Sequence, residues 1–231
     1  MLSLQGIRAG YGRVEVLHGI DLVVPDGSAV ALLGANGAGK TTLLRTAAGL
    51  LRPTAGRITI DGAGANHHAP HQRAREGVCL IPEGRGIFRQ LTVAENLAMF
   101  AGGRNVDDAI ATSVAAFPVL GERLGQLAGT LSGGQQQMVA VCRALIVDAK
   151  FILADELSVG LAPVVVDEIF ATVETLREQG RSLVIVEQYV DRALAIADYV
   201  YILHKGRVAF VGEPERCRDD DLFSHYVGSV A

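Results

Sequence analysis

The segment Gly34-Ala35-Asn36-Gly37-Ala38-Gly39-Lys40-Thr41-Thr42 carries the pattern G-x-x-x-x-G-K-[ST]. Such a loop wraps phosphate with its N–H groups and the start of the next helix, while Lys40 adds charge toward the β- and γ-phosphates. Thr41 offers a hydroxyl to Mg2+, and Thr42 continues the same helix start. Further along, the apolar run 151–154 ends in Asp155-Glu156. Two carboxylates at the C-terminal edge of a sheet stand where open α/β folds bind ligands. Asp155 is suited to holding Mg2+ through water, and Glu156 to orienting and polarising an attacking water as a general base. A second anion-binding helix start is Leu131-Ser132-Gly133-Gly134-Gln135, with a hydroxyl, two glycines and free N–H groups. In phosphoryl transfer the protein mainly positions groups and neutralises charge, so these parts are sufficient in kind for that chemistry.

The elements that must position these residues are legible in the hydrophobic pattern. Four short apolar runs, 29–33, 78–81, 151–154 and 183–186, are continuous rather than alternating. That predicts strands of a parallel sheet covered on both faces. A helix is expected from Thr41 to Ala48, directly after the phosphate loop. Another is expected over 163–179, with Pro163 at its first position, Gly180 past its end, and Val166, Ile169, Phe170, Val173 and Leu176 on one face. Ser132 with Gln135 and Thr92 with Glu95 have capping-box spacing, which predicts helices starting at both places. In the first of these, Met138, Val141, Cys142, Leu145 and Ile146 share a face. Segments 57–61 and 199–211 look antiparallel, the latter a hairpin turning at His204-Lys205-Gly206. No strand pattern appears between about 88 and 147. The reading is one domain, 1–231, in which an α/β core (1–87 and 148–231) holds an inserted helical subdomain (88–147).

Composition narrows the function class. Of 231 residues 49% are hydrophobic and 20% charged, which is globular rather than disordered or coiled-coil. A net charge of −4 gives no global positive field, which disfavours nucleic acid as a partner. Three cysteines, Cys79, Cys142 and Cys217, form no Cys-x-x-Cys pair, which speaks against a disulfide framework or zinc site and for a reducing compartment. Neither a secretory signal nor an apolar run near the roughly 20 residues of a membrane span is visible. The histidine-bearing segment Asn66-His67-His68-Ala69-Pro70-His71 reads as a solvated loop without a ligand set, and the charged run 216–221 as solvated surface.

The motifs taken together, LSGGQ about twenty residues before the D-E strand and after GANGAGKT, resemble those of the ATP-binding subunits of ABC transporters, over essentially the whole chain. That resemblance implies an α/β P-loop NTPase with a RecA-like core, an N-terminal antiparallel β subdomain and the helical insert. It implies head-to-tail dimers in which each ATP lies between the phosphate loop of one subunit and the LSGGQ of the other. Lys40 and Thr41 would then face one ATP, and Ser132 and Gly134 the other. Tyr11 matches the aromatic that stacks on adenine, and Ser158-Val159-Gly160-Leu161-Ala162 the loop that crosses the dimer interface.

Three departures refine the resemblance. Pro82-Glu83-Gly84-Arg85 stands where the family usually has glutamine, and Glu187-Gln188-Tyr189 where it has histidine. Glu83 offers Mg2+ an oxygen, but adds a negative charge beside triphosphate that the metal or Arg85 must offset. Gln188 donates a hydrogen bond to the γ-phosphate without a histidine's positive charge, so unaided turnover is expected to be slow. The pair resembles the smaller ATPase subunit of bacterial branched-chain amino acid importers, with urea importers close by, as do IFRQLTVAENL (87–97) and LSVGLAP (157–163). Leu157 replaces the proline usual after D-E. The implied partners are a second, different ATP-binding subunit, two transmembrane permeases and, indirectly, a periplasmic or extracellular binding protein. The implied location is peripheral, at the cytoplasmic face of the membrane. The competing readings are a nucleotide-sensing module with little hydrolysis and a soluble ABC protein of translation or DNA repair.

Overall fold

The computed structural model describes residues 1–187 and 189–217. Strands β1 (Leu2–Tyr11), β2 (Val14–Val24) and β3 (Ala29–Leu33) precede helix α1 (Lys40–Ala47), and β4 (Ala55–Ile60), β5 (Ala63–Gly64), α2 (Pro70–Arg75) and β6 (Val78–Ile81) follow it. Helices α3 (Val93–Ala101), α4 (Val106–Ala116), α5 (Pro118–Gly121) and α6 (Gly133–Ile146) come next. The described chain ends with β7 (Phe151–Asp155), α7 (Pro163–Glu178), β8 (Ser182–Val186), α8 (Val190–Ile196), β9 (Tyr199–His204), β10 (Arg207–Gly212) and α9 (Pro214–Cys217).

The strands form two sheets. An antiparallel one has the order β2-β1-β4-β5, and a six-stranded one the order β10-β9-β3-β8-β7-β6. In the latter β9, β3, β8, β7 and β6 are parallel, and β10 returns antiparallel to β9 as the expected hairpin. The continuous apolar runs are explained by the two faces. Ala29, Ala31 and Leu33 enter one apolar core while Val30 and Leu32 enter the other. β7 divides in the same way, with Ile152 and Ala154 on one side and Phe151 and Leu153 on the other. The first core lies under α3, α6, α7 and α8; the second is closed by α1 and the antiparallel sheet.

Both capping boxes form as the spacing predicts. Thr92 N–H donates to Glu95 Oε2 at 2.7 Å, and Ser132 N–H to Gln135 Oε1 at 3.2 Å. Between residues 88 and 147 the described structure is helical, apart from one isolated bridge of Thr92 with Leu127. Helix α6 differs from its expected one-sided stripe, because Val139, Ala140 and Ala144 are buried together with Met138, Val141 and Cys142. It packs against β6, α3 and α7 at once, so most of its circumference is interior.

The histidine segment also departs from expectation. It is a loop only as far as Ala69: Pro70 opens α2, and Gln72 Oε1 accepts the Ala69 N–H at 2.8 Å. His68 is half-buried, with Nδ1 2.6 Å from the Glu76 carboxylate. What fixes α2 is Arg73, 1% exposed, whose guanidinium donates to Ala47 O at 2.5 Å and Ala65 O at 2.7 Å. It thereby satisfies the C-terminal end of α1, where carbonyls lack intrahelical partners and favour a cation. Arg73→Leu is expected to cost about 3 kcal/mol of stability, read by urea unfolding, because it deletes charged hydrogen bonds and leaves buried carbonyls unpaired. A loss below about 0.5 kcal/mol would show that α1 needs no such cap.

Candidate functional site

The phosphate loop joins β3 to α1 and is shaped by close contacts. Gly34 has φ +143°, and a Cβ there would lie 2.2 Å from Leu203 O of the neighbouring strand, so no other residue fits. Gly39 precedes α1 with a left-handed backbone, and helix starts leave their first N–H groups without intrahelical partners. Lys40 folds back over the loop, its Nζ donating to Gly34 O at 2.7 Å and Ala35 O at 3.2 Å. Burial lowers its pKa, while the charges of Glu156 and Asp155 oppose that shift.

Beside this loop opens a cleft of about 460 Å3 lined by Asn36, Gly37, Gly39, Lys40, Thr41 and Thr42 together with Val16, Glu83 and Glu156. Thr41 Oγ1 donates to Asp155 Oδ1 at 3.2 Å. The candidate phosphate, metal and water-activating groups, far apart in sequence, therefore meet at one edge of the parallel sheet. Asp155 is the last residue of β7, and Glu83 follows β6. Glu156 takes a left-handed backbone, φ +54°, that turns the chain out of the strand, and its N–H donates to Val186 O at 2.9 Å. A non-glycine residue held there is strained, a common feature of functional positions. Gln188 lies outside the described residues.

Burial, with the charges of Glu156 and Glu83 adding to it, pushes the Asp155 carboxyl up to about 6, against the Thr41 hydrogen bond and the Arg45 charge that pull it down. Because the folded pKa stands above the usual 3.8, the folded chain holds more protons than the unfolded chain between those values. The Asp155 contribution is accordingly lost as pH rises from about 4 to about 6. In EDTA without nucleotide, Asp155→Asn is expected to raise the melting temperature at pH 7 and to flatten its pH dependence across that window. A variant melting below the parent at pH 7 would contradict the electrostatic cause.

Two carboxylates lining the cleft, Glu83 and Glu156, with the buried Asp155 bonded to the Thr41 hydroxyl beside them, suit Mg2+, a hard cation that takes oxygen donors and commonly shares itself between one or two carboxylates, water and substrate phosphates. Among the described residues no three His, Cys, Asp or Glu side chains are placed to cage an ion alone, and Mg2+ in a nucleotide site does not require it.

Tyr11 ends β1 with its ring 46% exposed, and Arg45 Nη1 donates to its hydroxyl at 3.4 Å. The LSGGQ residues do not line the cleft. Ser132 is exposed at the start of α6, Gly133 and Gln135 are half-buried, and Leu131 and Gly134 are buried. Gly134 has a local reason to be glycine, since a Cβ would lie 2.5 Å from Val165 Cγ1 of α7. The starts of α1 and α6 thus lie at different places on the chain.

Arg85 does not turn its charge to the cleft. Its Nη1 donates to Gln136 Oε1 at 2.6 Å, and Gln136 in turn donates to Leu131 O at 3.0 Å. Arg143, about two turns of α6 further on, donates to Gly86 O at 2.5 Å and stacks 4.5 Å from the Phe100 ring centroid. The loop bearing Glu83 is therefore tied to α6 at two points.

A profile of the ABC transporter family matches residues 17–159. The chain belongs to the ABC transporter family. It is 41% identical over 211 residues to the high-affinity branched-chain amino acid transport ATP-binding protein BraG of Pseudomonas aeruginosa, covering 90% of this chain and 91% of that one. The probable branched-chain amino acid transport ATP-binding protein LivF of Archaeoglobus fulgidus is 35% identical, with 96% of each chain covered. A solved ATP-binding subunit of an ABC transporter superposes with a TM-score of 0.84 at 27% identity, covering 96% of this chain and 94% of its own. This ABC cassette binds ATP and hydrolyses it, with the RecA-like core, antiparallel sheet and helical insert expected of its P-loop NTPase fold. No helix among its described residues is long and apolar enough to cross a membrane.

Sequence reasoning missed several residues of this ATPase site. Val16 on β2 lines the cleft with no motif to announce it. Arg45 was findable, because it stands four residues after Thr41 and so on the same helix face. Gln136, Arg143 and Glu187 reach their partners only through tertiary contacts. Leu157, in place of the usual proline, is 1% exposed and packs into the core.

Proposed function

We propose that this ATPase energises a membrane importer of branched-chain amino acids. The observation that carries the reading is the similarity to BraG along nearly the whole chain. Lys40 and the loop N–H groups of residues 34–42 hold the phosphates, Tyr11 stacks on adenine, and Glu156 orients the attacking water. Thr41, Asp155 and Glu83 hold Mg2+, which when bound neutralises phosphate charge. Gln188 contacts the γ-phosphate. Ser132, exposed at the start of α6 away from the chain's own cleft, and Gly134 face the ATP of a second, different ATP-binding subunit.

The core of residues 1–87 and 148–231 and the helical arm 88–147 work as one domain, in which the loop around Glu83 relays the state of the cleft. Beside that loop, Leu50, Ala74, Leu80, Pro82 and Val147 line an apolar groove of about 250 Å3. Its continuity with Pro82 supports reading it as the seat of a cytoplasmic segment of a permease. The subunit accordingly sits peripherally on the cytoplasmic membrane face, with two permeases, and is fed by a periplasmic or extracellular binding protein.

The test is affinity capture of tagged Glu156→Gln protein from native membranes in Mg-ATP, followed by mass identification and substrate-stimulated ATPase assay of the recovered complex. Recovery of two permeases and a second ATPase, stimulated by leucine or valine with binding protein, is expected. Stimulation by urea alone would move the substrate, and recovery of this chain alone would remove the importer.

A further inference from the structure

Glu156 takes a left-handed backbone, and the chain around it is held at several points. Its own N–H is bonded to Val186 O at the end of β8. Two residues on, Ser158 N–H donates to Glu187 Oε1 at 3.1 Å, and Ser158 Oγ donates to Glu187 Oε2. Glu187 is 4% exposed and Ser158 1%, so this carboxylate lies in the interior with both oxygens engaged by one loop residue. Between the two anchor points Leu157 is sunk in the apolar core, which leaves Glu156 projecting into the cleft. Past Ser158 the tip Val159-Gly160 is exposed. Glu187 itself does not line the cleft.

We propose that Glu187 is a positioning residue for ATP hydrolysis, its buried carboxylate clamping residues 156–158 to the end of β8 and so fixing where the Glu156 carboxylate points. The inference rests on the reading of Glu156 as the group that orients water. Buried carboxylates are costly unless their oxygens are well bonded, so a residue spending both on a neighbouring loop imposes a geometry there. A displacement of about 1 Å in a reacting group costs on the order of 100-fold in rate.

The test compares Glu187→Ala, Glu187→Gln and Ser158→Ala in the full chain assembled with its partner subunits. Glu187→Ala is expected to lower kcat about 10- to 100-fold with the dissociation constant for ATP within about twofold of the parent. Glu187→Gln, which keeps an acceptor for Ser158, is expected to recover most of the rate. In a Glu156→Gln background, Glu187→Ala is expected to cause no further loss. Equal damage from Glu187→Gln and Glu187→Ala overturns the proposal, as does a parallel loss of ATP affinity and rate. Should Glu187→Ala fail to fold, Ser158→Ala carries the test, since it removes one bond only and must still lower kcat without weakening ATP binding. Normal hydrolysis by Glu156→Gln alone defeats the role of Glu156 instead, and is read separately.

Discussion

Glu156→Gln is expected to lower kcat for ATP hydrolysis about 10²- to 10⁴-fold, the usual span for removing a general base. The amide keeps the size of the side chain and its place on the cleft wall beside Lys40 and Thr41. It loses the ability to accept a proton from water. ATP binding should persist or tighten, because one of the carboxylates that face the triphosphate has been neutralised. A second consequence follows from the charge of Glu156, which helps to hold the Asp155 carboxyl up at about 6. In the variant Asp155 should titrate lower, visible as a downward shift in the pH dependence of stability without nucleotide. Steady-state phosphate release and equilibrium nucleotide binding check the two parts independently. A kcat within threefold of the parent would transfer the chemical role elsewhere in the cleft.

Lys40→Ala is expected to weaken ATP binding about 10- to 100-fold, the range for losing a hydrogen-bonded charge. Lys40 is the cation among the cleft-lining residues, facing Glu83 and Glu156 as well as the incoming phosphates. Its removal leaves like charges opposed across a partly buried space, where screening by water is weak. Its Nζ is bonded to the carbonyls of Gly34 and Ala35, so it also holds the curve of the loop. The variant should therefore also melt somewhat lower, and melting must be recorded beside the binding isotherm of a fluorescent ATP analogue. Binding within twofold of the parent would mean that the backbone N–H groups alone hold the nucleotide.

Much of this architecture is legible in the sequence. Continuous apolar runs such as 29–33 announce buried parallel strands because both sheet faces are covered, and the capping pairs Thr92/Glu95 and Ser132/Gln135 mark helix starts because the backbone there needs local partners. The short helix at Pro70 escaped notice because what secures it, Arg73 on the carbonyls of Ala47 and Ala65, is a tertiary contact. The direction of Arg85 was equally hidden. Its nearness in sequence to Glu83 suggested a counter-charge, yet its guanidinium found Gln136 across the loop.

The sequence by itself determined the chemistry: a phosphate loop, an acidic strand end and a second anion-binding helix start, each a local pattern whose backbone geometry is set by neighbouring residues. Only the tertiary structure decided which of these share a cleft. Thr41 and Asp155, 114 residues apart, touch because β3 and β7 flank β8 in one sheet. The LSGGQ start is carried away from that cleft by α6, and Glu187 reaches Ser158 only because β8 lies beside β7. Strand order is a property of long-range packing, which residue spacing along the chain does not encode.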